Sequence, residues 1–130
     1  MSLITVPVSY GEVIDKITIL EIKSERIADP DKVKNVRNEL QLLERTWTDA
    51  IQGKADVSDA RARLKAVNED LWEIEDNIRV SEAQKDFGDE FIKLARSVYV
   101  TNDRRADIKK EINLALGSEL VEEKSYEDYA

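Results

Sequence analysis

The chain has 130 residues, 37% of them charged and 42% hydrophobic, with a net charge of −8 and neither His nor Cys. A domain of this size buries a single core, and the missing imidazole and thiol remove the usual groups for acid–base work, nucleophilic attack and transition-metal binding near neutral pH. The acidic balance argues against free nucleic acid as a partner, because phosphate binding rests on clustered Lys and Arg.

No apolar run approaches the roughly 18 residues that span a bilayer. The N-terminus lacks the basic flank and cleavage site of a signal peptide, and no disulfide marks an oxidising compartment, so a cytoplasmic location is expected. With only four Gly and two Pro, the high charge content fits long solvated helices better than sheet or disorder.

In chain order, residues 2–8 read as an extended arm: Ile4, Val6 and Val8 alternate with Thr5 and Pro7, and Pro7 restricts any strand to an edge. Ser9-x-x-Glu12 is a capping box, with Val8 and Val13 spaced for a hydrophobic staple. A first helix over 9–28 carries Val13, Ile17, Leu20 and Ile27. Asp29-Pro30 supplies an N-cap and a proline at the first helical position. The second helix, 30–52, carries Val33, Val36, Leu40, Leu43 and Trp47 in a coiled-coil-like 3-4 pattern, and Gly53 closes it.

Ser58 is the expected cap of a third helix over 58–87, whose stripe is Ala60, Leu64, Val67, Leu71, Ile74 and Ile78. Phe87-Gly88-Asp89 reads as a terminal glycine followed by a new cap. The fourth helix, 89–116, begins with Phe91, Leu94, Ala95 and Val98 and resumes with Ala106, Ile108, Ile112 and Leu116. Thr101–Arg105 between these halves is either a polar layer in a continuous helix or a break, and the pattern favours continuity. Residues 118–130 form an acidic tail holding half the net charge. It either docks through Leu120, Val121 and Tyr126 or stays in solvent.

The expected fold is therefore all-α: an antiparallel bundle of four long helices with a short extended N-terminal arm and an acidic C-terminal tail. The first two helices span roughly 30 Å and the last two roughly 40–45 Å at about 1.5 Å per residue. The second hairpin then overhangs the first and exposes apolar surface. With Trp72 lying off its seam, this points to a homo-oligomer, a dimer first.

Candidate chemistry is sparse. Glu69, Glu73 and Asp76 share one helical face and have the oxygen ligands that Mg²⁺ favours. The simpler reading is a solvated face paired with Lys65 and Arg79. All-helical nucleotide pyrophosphohydrolases pair a Glu-x-x-Glu with a Glu-x-x-Asp, and only Glu73-x-x-Asp76 is present here. Neither a metal nor a cofactor is expected. Glu12 and Lys16 suit an ion pair across one turn. Asn102, on the core row, reads as a register device or, with Arg96, Tyr99 and Asp103–Arg105, as part of an anion pocket. No phosphate loop, dinucleotide fingerprint, EF-hand loop or nucleophile elbow is present.

Gly11–Lys16 running into Ile19–Lys23, together with Leu71–Asp76, Leu94–Tyr99 and Asn102–Ala106, resembles an uncharacterised bacterial family of small helical proteins. The resemblance extends from about Val6 to Tyr126. It implies a bacterial cytosolic protein working near surface-polysaccharide synthesis, with no assigned activity and no catalytic residues to transfer.

Two functional readings follow. The first is a non-enzymatic oligomeric interaction or accessory protein that binds its own copy and a larger protein partner. The alternative is a site for a phosphorylated sugar or nucleotide-sugar, formed by Asp15, Lys16, Asp76, Arg79, Arg96, Asn102 and Arg105. Convergence of these side chains on one cleft favours the second; pairing only along their own helices favours the first.

Overall fold

In the computed structural model, which describes residues 2–129, four helices follow one another: α1 Tyr10–Arg26, α2 Pro30–Ala50, α3 Ser58–Ala83 and α4 Asp89–Leu116. No strand occurs among the described residues, so the N-terminal arm joins no sheet. No helix is long and apolar enough to cross a membrane among them either.

Local chemistry explains most helix ends. The Ser9 hydroxyl accepts the Glu12 N–H at 3.1 Å, which satisfies one of the free donors of the first turn. The Asp29 carboxylate accepts the N–H groups of Asp31 and Lys32 at 2.9 and 3.4 Å, with Pro30 opening α2. Gly117 has φ +70°, and the Ser118 N–H closes α4 on the Asn113 carbonyl at 2.8 Å.

Several boundaries differ from expectation. α1 stops at Arg26 instead of residue 28, because Ile27 and Asp29 are already extended before Pro30. α2 ends at Ala50, two residues before 52, with Gly53 at φ +73° in the following turn. Asp56, rather than Ser58, supplies the side-chain acceptor before α3, taking the Ser58 N–H at 2.9 Å. α3 ends at Ala83 instead of 87. The left-handed residue that reverses the chain is Lys85, φ 56°, while the Asp86 N–H bonds the Ser81 carbonyl at 2.9 Å. Gly88 has φ −78° and serves as N-cap of α4. α4 runs unbroken through residues 101–105.

The directions of packing follow from paired residues. Tyr10 meets Trp47 edge-on at 6.3 Å while Lys16 meets Glu39, so α1 and α2 run oppositely. Arg63–Glu111 and Asp70–Arg104 do the same for α3 and α4. α1 is the central helix, packed against all three others. Its Ile14 and Ile17 join Trp47, Leu64, Val67, Ile108, Ile112 and Leu116 in one core.

That core fills only one half of the bundle. No residue from 69 to 100 is buried, since α1 and α2 end before the far half of the α3–α4 hairpin. Leu71, Ile74, Ile78, Phe91, Leu94 and Val98 are half-buried there, and Val80, Phe87 and Ile92 are exposed.

Gly11 sets how α1 meets α4. Its N–H donates to Asn113 Oδ1 at 2.7 Å, and a Cβ added there would lie 2.6 Å from the Lys109 carbonyl oxygen. Backbones touch at this end. At the other end Arg26 reaches across to Glu69 and Glu73 of α3, at 3.7 and 3.4 Å. Between these two ends a wedge opens, lined by residues of α1, α3 and α4.

Candidate functional site

A buried carboxylate stands at the head of the wedge. Asp15, 1% exposed, accepts hydrogen bonds at Oδ1 from Asn68 Nδ2 and Arg105 Nε, each at 2.9 Å, and at Oδ2 from Arg105 Nη2. The fork of Arg105 therefore grips it through both oxygens, the geometry a guanidinium favours. Asn68 also donates to Thr18 Oγ1 at 3.0 Å, and that hydroxyl donates to the Asp15 carbonyl at 2.8 Å.

Lys109, with its side chain 9% exposed, adds a second cation. Its ammonium lies 2.8 Å from Glu12, 3.1 Å from Glu122 in the tail, and 3.8 Å from Asp15 Oδ2. Burial favours its neutral form, but hydrogen bonds to Glu12 and Glu122 outweigh that and hold its pKa above the ordinary 10.5. The hydrogen bond to Asp15 likewise raises Arg105. Both are permanent cations at neutral pH, so neither serves as a general base and Lys109 is no amine nucleophile. The network holds these two cations against three carboxylates and fixes their orientation.

Arg105 faces outward from this network into a groove of about 480 Å³. Ile19, Ile22 and Lys23 form its α1 wall, Asn68, Leu71 and Trp72 its floor, and Asn102 and Arg105 its α4 wall. Glu75, Asp76 and Arg79 line the open end. Its volume lies within the roughly 300–1,000 Å³ typical of small-molecule sites. Arg79 is paired with Glu75 at 2.9 Å, and Asn102 Oδ1 accepts from Arg105 Nη1 at 3.4 Å. The side chains of Lys23 and Asp76, and the Asn102 amide nitrogen, have no partner among the described residues.

Residues 4–129 match a family described as being of unknown function, DUF6165. The chain belongs to the DUF6165 family. No curated protein and no solved structure matches it. The family brings no activity and no residue roles, so the chemistry of this DUF6165 member is read from its geometry.

The sequence-predicted site residues divide into three sets. Asp76, Arg79, Asn102 and Arg105 share the groove, and Asp15 sits behind it holding Arg105. Lys16 is on the outer side of α1, 3.8 Å from Glu39. Arg96 is exposed and does not line the groove. Glu12 pairs with Lys109 instead of Lys16, because α4 passes closer than the next turn of its own helix. Glu69 and Glu73 are held by Arg26 rather than by Lys65, which pairs with Glu25 at 3.0 Å.

Asn102 is half-buried at the groove; Thr101 takes the buried position. The buried amides are Asn68 and Asn113. Asn68 follows Leu64 by one turn, which is the one signal that marks it. Trp72 is marked by lying off its seam, whereas Lys23, Lys109 and Glu122 carry no such mark, since each gains its place through a neighbouring helix or the tail.

Proposed function

We propose that the protein binds a phosphorylated sugar or nucleotide-sugar in the wedge between α1, α3 and α4, without transforming it. One observation carries this reading. Lys23, Asp76 and the Asn102 amide come from three different helices, share one groove beside Trp72, and are unpaired. Their neighbours Arg26, Glu69, Glu73, Glu75 and Arg105 are all paired.

The chemistry of the ligand follows from these groups. Lys23 and the N–H groups of Arg105 that Asp15 leaves unused suit a phosphate. The Trp72 ring offers an apolar face to a sugar or base ring. Asp76 and Asn102 accept and donate hydrogen bonds to hydroxyls. The locked cations and the missing His and Cys favour binding over catalysis.

A thermal-shift series with inorganic phosphate, glucose 1-phosphate and UDP-glucose tests this. A ligand at 100 times its Kd stabilises the native state by about 2.7 kcal/mol. At least one phosphorylated probe is expected to raise Tm, and Lys23→Ala and Trp72→Ala to remove the shift. No shift with any probe rejects the proposal.

A second reading, self-association, draws on the absence of any buried residue from 69 to 100. Two helices with an apolar seam gain by covering it with another layer, and a second copy brings a hairpin of the same length. A dimer mass is expected by light scattering; a monomer at high micromolar concentration ends this reading.

A further inference from the structure

We infer that the acidic C-terminal segment is a strap that weakens anion binding in the groove, acting through Asp15. The inference rests on the groove reading above and concerns its regulation. After Gly117 the chain turns back along α4: Glu122 meets Lys109 at 3.1 Å, the Tyr129 hydroxyl donates to Asp103 at 2.6 Å, and the Tyr129 ring lies 5.2 Å from Tyr99. The contacts descend α4 in order, 109, 103, 99. Leu120 and Tyr126 remain exposed, at 48% and 80%, so the strap is held by its contacts with Lys109, Asp103 and Tyr99, in which its own side chains Glu122 and Tyr129 stay about half-exposed. Such contacts break easily.

The strap reaches the groove by a short relay. Three carboxylates surround the Lys109 ammonium, and their pulls together set its position. With Glu12 at 2.8 Å and Glu122 at 3.1 Å engaged, Asp15 Oδ2 stays at 3.8 Å, beyond hydrogen-bond distance. Arg105 holds that same oxygen. When Glu122 leaves, its pull on the ammonium is lost, and Lys109 moves closer to Asp15 Oδ2, the buried carboxylate oxygen already 3.8 Å away. Arg105 then shares the oxygen and presents more of its fork to the groove. Asn102 links the two regions a second time, because it lines both the groove and the cavity beneath the strap. Docked strap and bound anion therefore oppose one another, and the opposition is reciprocal.

The test compares wild type, Glu122→Gln and Glu127→Gln, the last removing one tail charge that does not touch Lys109. Inorganic phosphate and glucose 1-phosphate are titrated with tryptophan fluorescence as readout, and the Arg105 Nε–H resonance is followed by NMR, assigned with Arg105→Lys. Glu122→Gln is expected to tighten binding by about fivefold or more, the scale of ordinary coupling between sites, and to shift the Arg105 resonance; Glu127→Gln is expected to change affinity less than about twofold. Equal affinity in wild type and Glu122→Gln overturns the strap and leaves the groove reading standing. Equal tightening in both variants replaces the relay with bulk charge and overturns it. If no probe binds any variant, the groove reading falls. The Arg105 resonance then decides the relay: a shift in Glu122→Gln supports it, and an unmoved signal overturns it.

Discussion

Replacing Asp15 with Ala lowers stability by about 3 kcal/mol, the low end of the cost of removing one partner from a buried ion pair. The loss is expected because Arg105 keeps only a 3.4 Å contact to Asn102 after the change, while Asn68 loses one of its two acceptors. Lys109 retains Glu12 and Glu122, which keeps the figure from rising further. For a chain of this length the midpoint of thermal unfolding falls by about 10 °C. Glu111→Gln removes an exposed partner of Arg63 and serves as comparison. Its effect is expected to be much smaller, since solvent already screens that pair. Circular dichroism during urea and thermal unfolding measures both. A loss at Asp15 no greater than that at Glu111 contradicts the central place given to the buried carboxylate.

Gly11→Ala destabilises the protein by about 2 kcal/mol, within the range for overpacked cores, although alanine is the better helix former by about 1 kcal/mol. The two effects oppose, and geometry decides the sign. The new methyl would stand 2.6 Å from a backbone carbonyl oxygen of α4 and 3.1 Å from Asn113 Oδ1. The nearer of the two is backbone and cannot swing aside as a side chain does, so α1 itself must move outward. That shift also pulls Asp15 away from Arg105, four residues along the same helix. Ala62→Gly, on an exposed position of α3, isolates the propensity term. It is expected to cost about 1 kcal/mol. If Gly11→Ala instead stabilises the fold, the close approach of α1 and α4 is not what positions the site.

These two substitutions touch features that differ in how openly the chain displays them. The helices were legible because each depends on nearby residues. The apolar rows of α2 and α3 repeat every three or four positions, and Ser9, Asp29-Pro30 and Gly117 act on groups within four residues. The far half of the α3–α4 hairpin was legible too, since its exposure follows from helix lengths. Where local signals compete, packing rather than spacing chooses between them. Gly88 is the obvious terminator beside α3, yet Lys85 adopts the left-handed turn, and Gly88 is used to start α4.

The lining of the candidate groove was legible in part for a similar reason. Asp76, Arg79 and Arg105 stand off the apolar rows, Asn102 continues the row of Val98, and two neighbouring helices bring all four to one groove. Lys16 and Arg96 were grouped with them by charge, and their positions on outer faces separate them. Lys23 and Lys109 were not identified, because a lysine in sequence carries no sign of which helix will face it.

Residue order alone determined that this chain forms four amphipathic helices with a reactive repertoire limited to carboxylates, amides and fixed cations. Periodicity and composition act over a few residues, so they survive without knowledge of the fold. Only the tertiary structure decided which charges meet: Asp15 with Arg105, Glu12 with Lys109, Glu122 with the same lysine. Those pairs join residues about 90 positions apart or link tail to helix, and they depend on the angle at which α1 leaves α4. At one end of that crossing Gly11 lets the two backbones touch, a contact that no spacing rule records.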